Sequence, residues 1–454
     1  MILNPLFSDH MVLQRRRPIR VFGMGVGRVE VEFLGKKYSH YSHGGNWCLE
    51  LDPAEAGGPY EMTVSMDGET RVLRDVLIGE VFIAGGQSNM QVPLGSEGVI
   101  ATPDLGDGAT ELTPVQSVLL TSTPVSLPSV RVFGIVRPES CGFTGRDWVV
   151  ADENTCRSMT AIGWIFARRM WETYGVPVGI VTCYQGAAIL QTFIEKNMLR
   201  ADPAGQRMSL QRARSVVTYP VWNHDGMLYD YMVRRIMPLS VRAVLWYQGE
   251  SNSDVVEGEI FVDLMRLLRD CWRESFRDPD LSFFQVQITP FGTGNHAGWI
   301  AIQEGQARAA KELEGVYLIT GGDVGEEKNI HPLRKEPIAD RLFRAVRHEI
   351  FGETEVAYLG PEMRECRFEE GRVTVTFDGV GKGLMQDGEI DNFVLVDENG
   401  TRHAAACRIT GKDTLVAEAP VGKITAAEFA YTGFNVMHLF SSDGLPAQLF
   451  RAQK

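Results

Sequence analysis

Ser88 is the residue whose position in the sequence best suits it to do chemistry. It lies in the stretch GEVFIAGGQSNMQVPL, where a run of apolar, β-prone residues ends at two glycines, Gly85 and Gly86. This pattern is typical of a strand that turns directly into a helix. Such a turn can hold one hydroxyl at the carboxyl end of a strand, where open α/β sheets place their chemistry. A serine there is either a helix cap or a nucleophile that needs a base.

His331 is the histidine that the sequence places best to act as that base. The chain has nine histidines, and His331 follows a predicted strand at 316–320 and immediately precedes Pro332 and a predicted helix. We therefore expect it after the carboxyl end of a late strand, on the same sheet edge as Ser88. A neutral imidazole can take the hydroxyl proton of a serine. The alternative is a structural histidine whose hydrogen bonds are satisfied.

Two further predicted strand ends carry groups that could stabilise the oxyanion of an acyl transfer. Gly186 follows the predicted strand 178–183, and the segment QGESN at 248–252 follows the predicted strand 243–247. Acyl transfer builds negative charge on the former carbonyl oxygen, so backbone N–H groups and side-chain amides must already point there. Each segment alone is an ordinary turn, but four such clusters on one sheet edge predict an acyl-transfer site.

The elements that position these residues alternate between strand and helix from residue 79 to about 350. This alternation predicts a doubly wound, mostly parallel sheet with helices on both faces. The other predicted strands are 81–84, 129–136 and 281–287, and the predicted helices are 161–174, 228–237, 259–273, 299–312 and 336–348. Residues 97–127 and 200–226 have little periodicity and are predicted to be irregular loops, of the kind that often bind substrate.

Both ends of the chain have the alternating, β-branched and aromatic pattern of all-β, sandwich-like modules. The predicted strands there are 19–22, 29–33, 47–51, 60–65, 71–76, 373–377, 393–396, 404–409, 414–418 and 428–431. We expect an N-terminal β module at 1–78, a catalytic domain at 79–352 and a C-terminal β module at 353–454. The two β modules could pack against each other.

The composition of the chain limits the classes of partner that it can bind. The chain has 454 residues, is 44% hydrophobic and 23% charged, and carries a formal net charge of -13, which argues against nucleic acid or an anionic membrane. No apolar run is long enough to span a bilayer, and the start, MILNPLFSDHMVLQ, lacks a signal-peptide pattern, so we expect a cytoplasmic protein. The seven cysteines are scattered without a C-x-x-C spacing, so neither a disulfide framework nor a zinc site is expected.

Four blocks, GGQSNM, YQGAAI, LWYQGESN and NIHP, resemble in order and spacing the SGNH-type carbohydrate esterases of the sialate O-acetylesterase family, with acetylxylan esterases as close kin. The resemblance extends over nearly the whole chain, from LFSDHMVLQ to DGLPAQLFRA. It implies a flavodoxin-like, three-layer SGNH-hydrolase domain flanked by β modules. It also implies removal of acetyl groups from sugar hydroxyls, an acetylated sugar or glycan as substrate, and no metal or other cofactor.

The resemblance also implies roles for individual residues. Ser88 matches the nucleophile and His331 the general base. The oxyanion donors would be the backbone N–H groups of Ser88 and Gly186 and the side-chain amide of Gln248, which we favour over that of Asn252. The candidates for the substrate pocket are Gln87, Asn89, Glu250 and Asn252.

Asn329 departs from the family pattern, which reads DIHP where this chain has NIHP. Asparagine can accept a hydrogen bond from His331 Nδ1–H, but it cannot supply the charge that stabilises an imidazolium. Three interpretations stay open. The site works as a Ser-His dyad with Asn329 or a main-chain carbonyl as orienter, or a carboxylate of the same loop substitutes, or much activity has been lost. The loop carboxylates are Asp323, Glu326 and Glu327, of which Asp323 is the best placed.

The alternative function is that of a non-catalytic or weakly active carbohydrate-binding protein on an esterase scaffold. Asn329 favours it, and the aromatic residues near the sheet edge suit sugar stacking, although core packing is the alternative explanation and the favoured one for Trp246. These aromatic residues are Tyr184, Trp222, Trp246 and Tyr247. A lipase or thioesterase of the same fold needs a long apolar channel, and the polar segment 97–127 gives it little support.

Overall fold

The computed structural model describes residues 1–95, 125–134, 147–214 and 221–454. The strands are β1 Ile2–Leu3, β2 Val12–Gln14, β3 Ile19–Met24, β4 Gly27–Phe33, β5 Lys36–Ser42, β6 Asn46–Leu51, β7 Gly57–Met66, β8 Glu69–Gly86, β9 Leu127–Gly134, β10 Trp148–Ala151, β11 Val178–Tyr184, β12 Ala243–Tyr247, β13 Phe283–Val286, β14 Val316–Ile319, β15 Glu362–Glu369, β16 Arg372–Asp378, β17 Leu384–Gln386, β18 Phe393–Asp397, β19 Arg402–Ala404, β20 Ala406–Ile409, β21 Thr414–Glu418, β22 Ile424–Phe429, β23 Leu439–Ser441 and β24 Phe450–Gln453. The helices are α1 Ser88–Gln91, α2 Ala161–Tyr174, α3 Lys196–Ala201, α4 Pro203–Arg214, α5 Arg234–Ile236, α6 Val255–Glu259, α7 Phe261–Ser275, α8 His296–Glu312 and α9 Glu336–Glu349.

The central sheet has the strand order β10-β9-β11-β8-β12-β13-β14. Only β10 runs antiparallel to its neighbour, and the other pairs along this path are parallel. With the β9–β10 pair at the edge set aside, the strands follow the 2-1-3-4-5 order of flavodoxin-like sheets. Ligands of such sheets bind where the strand order reverses, at the carboxyl ends of the strands. Here that point lies between β8 and β12, and Ser88 follows β8 directly.

Side chains of β8 alternate between two buried layers, as a strand covered on both faces requires. Val81 and Ile83 join one hydrophobic cluster, whereas Phe82 and Ala84 join another. The first cluster includes apolar residues of α7 and α8, and the second includes apolar residues of α2 and α9. The α/β part of the chain is therefore a helix–sheet–helix arrangement.

Two stretches differ from the sequence-based prediction. Residues 200–226 were expected to be irregular, but they contain α4, which starts at Pro203. Asp202 Oδ1 accepts the backbone N–H of Ala204 at 2.9 Å, so Asp202 and Pro203 form a favourable start for this helix. The helix has no obvious apolar stripe, which is the pattern that would have predicted it. The predicted strand 404–409 is broken at Ala405, because β19 pairs with β18 and β20 pairs with β21 in a different sheet. Most of the predicted loop 97–127 lies outside the described residues.

The terminal β regions connect closely to the central sheet. The boundary predicted after residue 78 falls inside β8, whose first half pairs with β7 and whose second half pairs with β11 and β12. At the other end, the sheets β15-β16-β21-β20 and β19-β18-β22-β24 share one apolar core. This region contacts the central part through the Phe291 N–H, which donates to Gly433 O at 2.7 Å. The division into three domains stays a prediction.

No helix in residues 1–95, 125–134, 147–214 or 221–454 is long and apolar enough to cross a bilayer. Within the same part of the chain, no group of three or more His, Cys, Asp or Glu side chains is arranged to hold a metal ion.

A buried ion cluster joins the amino-terminal strands to the central sheet. Glu80, on β8, is fully buried. Its carboxylate accepts from Arg15 Nε at 2.6 Å, from Arg242 Nε at 2.7 Å and from Gln14 Nε2 at 2.9 Å. Gln14 ends β2, Arg15 follows it and Arg242 precedes β12, so one carboxylate satisfies groups from two segments that meet β8 at the start of the parallel sheet.

Glu80→Gln is expected to lower the free energy of unfolding by about 3 kcal/mol, because it leaves two largely buried guanidinium groups without their carboxylate. The matched control is Glu55→Gln, which breaks an exposed pair with Arg16 and should change stability by less than about 1 kcal/mol. Denaturant or thermal unfolding measures both. Equal effects of the two variants would contradict a structural role for the Glu80 cluster.

Candidate active site

Ser88 is held at the end of β8 by a backbone that only glycine can supply. Gly86 has φ +121°, and a Cβ atom there would lie 2.1 Å from the carbonyl oxygen of Tyr247. This close approach lets the Gln87 N–H donate to Tyr247 O at 2.9 Å, so pairing with β12 continues past the strand end. The helix α1 then begins at Ser88 itself, which leaves the hydroxyl half-buried at the sheet edge. The predicted strand-to-helix turn is present.

His331 lies in the loop between β14 and α9, and the structure brings it to Ser88. The distance from His331 Nε2 to Ser88 Oγ is 2.7 Å, a normal hydrogen bond. Only 4% of His331 is exposed to solvent. The two residues lie 243 positions apart in the chain, and the parallel sheet places them in contact.

The other ring nitrogen of His331 is not oriented by either residue that the sequence suggested. Nδ1 is buried and has no hydrogen-bond partner among the described residues. Asn329 Oδ1 instead accepts the backbone N–H of His331 at 2.9 Å, and Asn329 Nδ2 donates to Glu326 Oε2 at 3.1 Å. Asp323 forms a bidentate pair with Arg341, both bonds at 2.7 Å. The prediction that Asn329 or Asp323 orients the imidazole is therefore wrong for this structure.

The electrostatic surroundings keep His331 neutral. Burial, and secondarily the nearby ammonium group of Lys335, lower the pKa of His331 to about 4. An imidazole that accepts a proton from serine must be neutral beforehand. The site therefore holds its candidate base in the reactive form at neutral pH, although a lower pKa also makes it a weaker base.

Gly186 lies beside Ser88, as the sequence predicted. A Cβ atom added at Gly186 would lie 3.7 Å from Ser88 Cβ. In this structure the Gly186 N–H donates to Gln91 Oε1 at 3.1 Å. Gln91 is an exposed residue of α1 that the sequence analysis did not single out. Because it occupies the predicted oxyanion donor, its side chain has to move before a substrate oxygen can take that N–H.

Gln248 does not face a substrate, which corrects its predicted role as an oxyanion donor. Its side chain is fully buried. Its amide nitrogen lies within hydrogen-bond distance of Asn252 Oδ1 at 2.6 Å, Ala188 O at 3.1 Å and Gln87 Oε1 at 3.3 Å. Because both amide protons have acceptors inside the protein, Gln248 supports the loops around Ser88.

The predicted pocket residues are also internal. Gln87, Asn89, Glu250 and Asn252 are each at most 6% exposed. Gln87 Oε1 accepts the backbone N–H groups of Gly249 and Ser251, and Asn252 Oδ1 accepts that of Leu190. These side chains therefore bond the segments after β8, β11 and β12 to one another, and the expectation that they line the substrate pocket is wrong for this structure.

The aromatic residues near the sheet edge divide into two groups. Trp246 and Tyr247 are fully buried and pack in the core, so they are not available for sugar stacking. Trp222 and Tyr184 are partly buried. The Trp222 Nε1–H donates to Gly186 O at 3.2 Å, which places this indole next to the candidate nucleophile.

Lys335 is the functional candidate that the sequence analysis missed. It is 1% exposed, and its ammonium group donates to Asn89 Oδ1 at 2.5 Å. In the sequence it is a lysine four positions after His331, just before a helix, where a solvated charge is the ordinary interpretation. Nothing in the local pattern indicates that it turns inward.

The fold and the site fit a hydrolase of the SGNH type, because a serine and a histidine are in hydrogen-bond contact at the switch point of a flavodoxin-like sheet. Comparison with known proteins agrees. Residues 143–335 match the family model described as carbohydrate esterase, sialic acid-specific acetylesterase. This range includes His331 and begins after Ser88.

Full-length similarities extend the match. The chain is 23% identical to the sialate O-acetylesterase of Mus musculus, in an alignment that covers 98% of this chain and 93% of the mouse protein. The Homo sapiens protein of the same name is also 23% identical, in an alignment that covers 88% of this chain and 79% of the human protein. The crystal structure of a carbohydrate acetylesterase from Xanthomonas citri matches with a TM-score of 0.81 and 26% identity. The match covers 100% of this chain and 99% of the Xanthomonas chain. These similarities support a sialate O-acetylesterase-like carbohydrate esterase, and they identify the chain as a carboxylic ester hydrolase.

The pH dependence of ester hydrolysis should reflect the low pKa of His331. We expect kcat/KM to stay level from neutrality down to about pH 5 and to fall as the pH approaches about 4, where the imidazole becomes protonated. Acetate release, measured directly so that the reporter does not titrate, gives the profile. An acid limb near the ordinary histidine value of about 6.5 would contradict this account of the site.

Proposed function

We propose that this chain is a serine esterase that removes O-acetyl groups from acetylated carbohydrates, with Ser88 as nucleophile and His331 as general base. The 2.7 Å contact between Ser88 Oγ and His331 Nε2 carries the proposal. The names of the relatives, sialate O-acetylesterase and carbohydrate acetylesterase, support the substrate class. The proposed substrate is therefore an O-acetylated sialic acid or another acetylated glycan.

The first half of the reaction forms an acetyl-enzyme. Neutral His331 takes the hydroxyl proton through Nε2 as Ser88 Oγ attacks the acetyl carbonyl carbon. The tetrahedral intermediate then collapses, the bond from the carbonyl carbon to the sugar oxygen breaks, and His331 gives its proton to that oxygen. In the second half, His331 activates a water molecule that hydrolyses the acetyl-Ser88 ester and releases acetate.

Two backbone N–H groups are proposed to hold the oxyanion. Ser88 begins α1, so its own N–H has no acceptor within the helix. The Gly186 N–H is the second donor, once the exposed Gln91 side chain gives way to the substrate. Removing one such donor typically costs about 10²–10³ in kcat, so these two groups carry much of the rate enhancement in this scheme.

The dyad interpretation of the site is the one that the contacts favour. Nδ1 of His331 has no hydrogen-bond partner among the residues that the structure describes, so no carboxylate there gives the imidazolium the stabilisation that a Ser-His-Asp triad supplies. Loss of that carboxylate costs about 10⁴ in kcat in a triad enzyme. We therefore expect a working esterase that is slower than one with a complete triad.

Ser88→Ala should abolish acetate release from O-acetylated sialic acid and from p-nitrophenyl acetate, because it removes the attacking oxygen while the fold remains intact. Ser158→Ala is the matched control, since the Ser158 hydroxyl bonds a carbonyl oxygen of its own turn. Circular dichroism and unfolding midpoints verify the fold of both variants. If Ser88→Ala keeps most of the activity, the proposed mechanism is wrong.

The unpartnered Nδ1 is also the observation that favours the second candidate function, a carbohydrate-binding protein with little or no activity. A fluorophosphonate probe separates the two candidates, because it reacts with an activated serine. Labelling of Ser88 in the wild-type protein, and not in Ser88→Ala, supports the esterase. An unlabelled Ser88 together with sugar binding supports the binding protein.

Asn329→Asp should lower kcat/KM about tenfold rather than raise it. The substitution replaces the amide that donates to Glu326 by a second carboxylate at 3.1 Å, and the lost hydrogen bond to a charged group is worth roughly 1.5–3 kcal/mol. Adding Glu326→Gln restores the bond with the donor and acceptor exchanged. The double variant should return to within about threefold of the wild-type rate.

Steady-state kinetics on the wild type, the two single variants and the double variant measures this cycle. A faster Asn329→Asp single variant would mean that an aspartate reaches Nδ1 and completes a weakened triad. That result would contradict the assignment of Asn329 as a residue that organises the loop.

A further inference from the structure

Beneath Ser88 and His331, a chain of hydrogen bonds joins two buried groups of opposite charge. Lys335 Nζ donates to Asn89 Oδ1 at 2.5 Å, and Asn89 Nδ2 donates to Glu250 Oε1 at 2.5 Å. The exposed fractions of Lys335, Asn89 and Glu250 are 1%, 1% and 6%. An asparagine amide thus bridges a lysine and a glutamate in the protein interior.

The same amide also links the two segments that carry the reacting residues. Asn89 is the residue after Ser88, and its Nδ2 donates to the carbonyl oxygen of Ile330 at 3.0 Å. Ile330 is the residue before His331. The backbone beside the nucleophile is therefore bonded to the backbone beside the base, and the Asn89 side chain uses both of its protons and its oxygen in doing so.

The charges around Lys335 come from several elements. Glu250 follows β12, Glu326 lies in the loop of His331, and the Tyr247 ring lies 5.8 Å from Lys335 Nζ. Burial lowers the pKa of Lys335 to about 7, against the opposing effect of Glu250 and Glu326. Burial raises the pKa of Glu250, against the opposing effects of Asn89 and Lys335. A buried charge needs such partners, because removing one of them leaves the other uncompensated.

His331 is sensitive to this cluster. Among the described residues, the Ser88 hydroxyl bonds its ring and the charge of Lys335 acts on it, while Glu326 acts on its backbone through Asn329. A like charge nearby disfavours the protonated form of an imidazole. Lys335 therefore acts on the site in two ways: it holds the Asn89 side chain in place, and its charge disfavours protonation of His331.

We propose that Lys335 is a positioning residue of this esterase: through the Asn89 amide, with Glu250 as counter-charge, it locks the Ser88 and His331 segments together, and its ammonium group opposes positive charge on the imidazole. The proposal rests on the Ser88–His331 mechanism proposed above. It gives Lys335, Asn89 and Glu250 supporting roles and no contact with the substrate.

Three variants of Lys335 and its surroundings separate charge from hydrogen bonding. Lys335→Met removes both the ammonium charge and the donor to Asn89, whereas Lys335→Gln removes the charge and keeps an amide donor. Lys328→Met is the control, because Lys328 is an exposed lysine of the same loop whose charge solvent screens. The pH profile of kcat/KM for acetate release is measured for each.

We expect the acid limb to move upward by about one pH unit in both Lys335 variants, since each removes the like charge that opposes protonation of His331. The kcat of Lys335→Met should fall about tenfold, and that of Lys335→Gln should fall less, because its amide can still bond Asn89. Lys328→Met should leave both quantities unchanged. An acid limb that stays in place in both Lys335 variants, or that moves equally in Lys328→Met, overturns the proposal.

A second measurement does not depend on activity. Lys335→Met should lower the unfolding midpoint, and adding Glu250→Gln should recover part of the loss, because the double variant leaves no uncompensated buried carboxylate. A double variant no more stable than Lys335→Met contradicts the charge pairing. By contrast, failure of the wild-type protein to release acetate, or activity retained in Ser88→Ala, overturns the proposed function and leaves this stability comparison standing.

Discussion

Buried amides have to satisfy one another, and this constraint shapes the sheet edge on which the site stands. Gln87, Gln248 and Asn252 lie in the interior, where they bond to one another and to backbone groups across three strand ends. An unsatisfied amide there would cost roughly 1–3 kcal/mol, so the loops after β8, β11 and β12 are held in one arrangement. Ser88 directly follows Gln87, so this layer of buried amides fixes the position of the serine.

The electrostatics of the site follow from the same burial. A histidine that is 4% exposed and has a lysine nearby stays neutral through the physiological pH range. A neutral histidine is ready to accept a proton, but it gains less from accepting one than a histidine paired with a carboxylate. The geometry already suits proton transfer, because the Ser88–His331 hydrogen bond is formed. Asn329 and Glu326 bond backbone N–H groups of the loop that carries His331 and so hold it in place.

Much of this could be predicted from sequence, because parallel sheets bring strand ends together in a regular way. Apolar runs placed β8, β11, β12 and β14, and the polar residues that follow them included both Ser88 and His331. Directions of side chains could not be predicted in the same way. Gln248 and Ser88 both follow buried strands, yet one points into the core and the other to the surface. The helix α4 was missed because an Asp-Pro start, rather than an apolar stripe, marks it.

The most direct test of the account is to trap the acetyl-enzyme. The protein is mixed with an O-acetylated sialic acid, quenched in acid during turnover, digested and analysed by mass spectrometry. We expect one acetyl group on the peptide that contains Ser88, and none on the same peptide of His331→Ala, which lacks the base. Acetate release at full rate with an unmodified Ser88 peptide, or with the acetyl group on another residue, would contradict it.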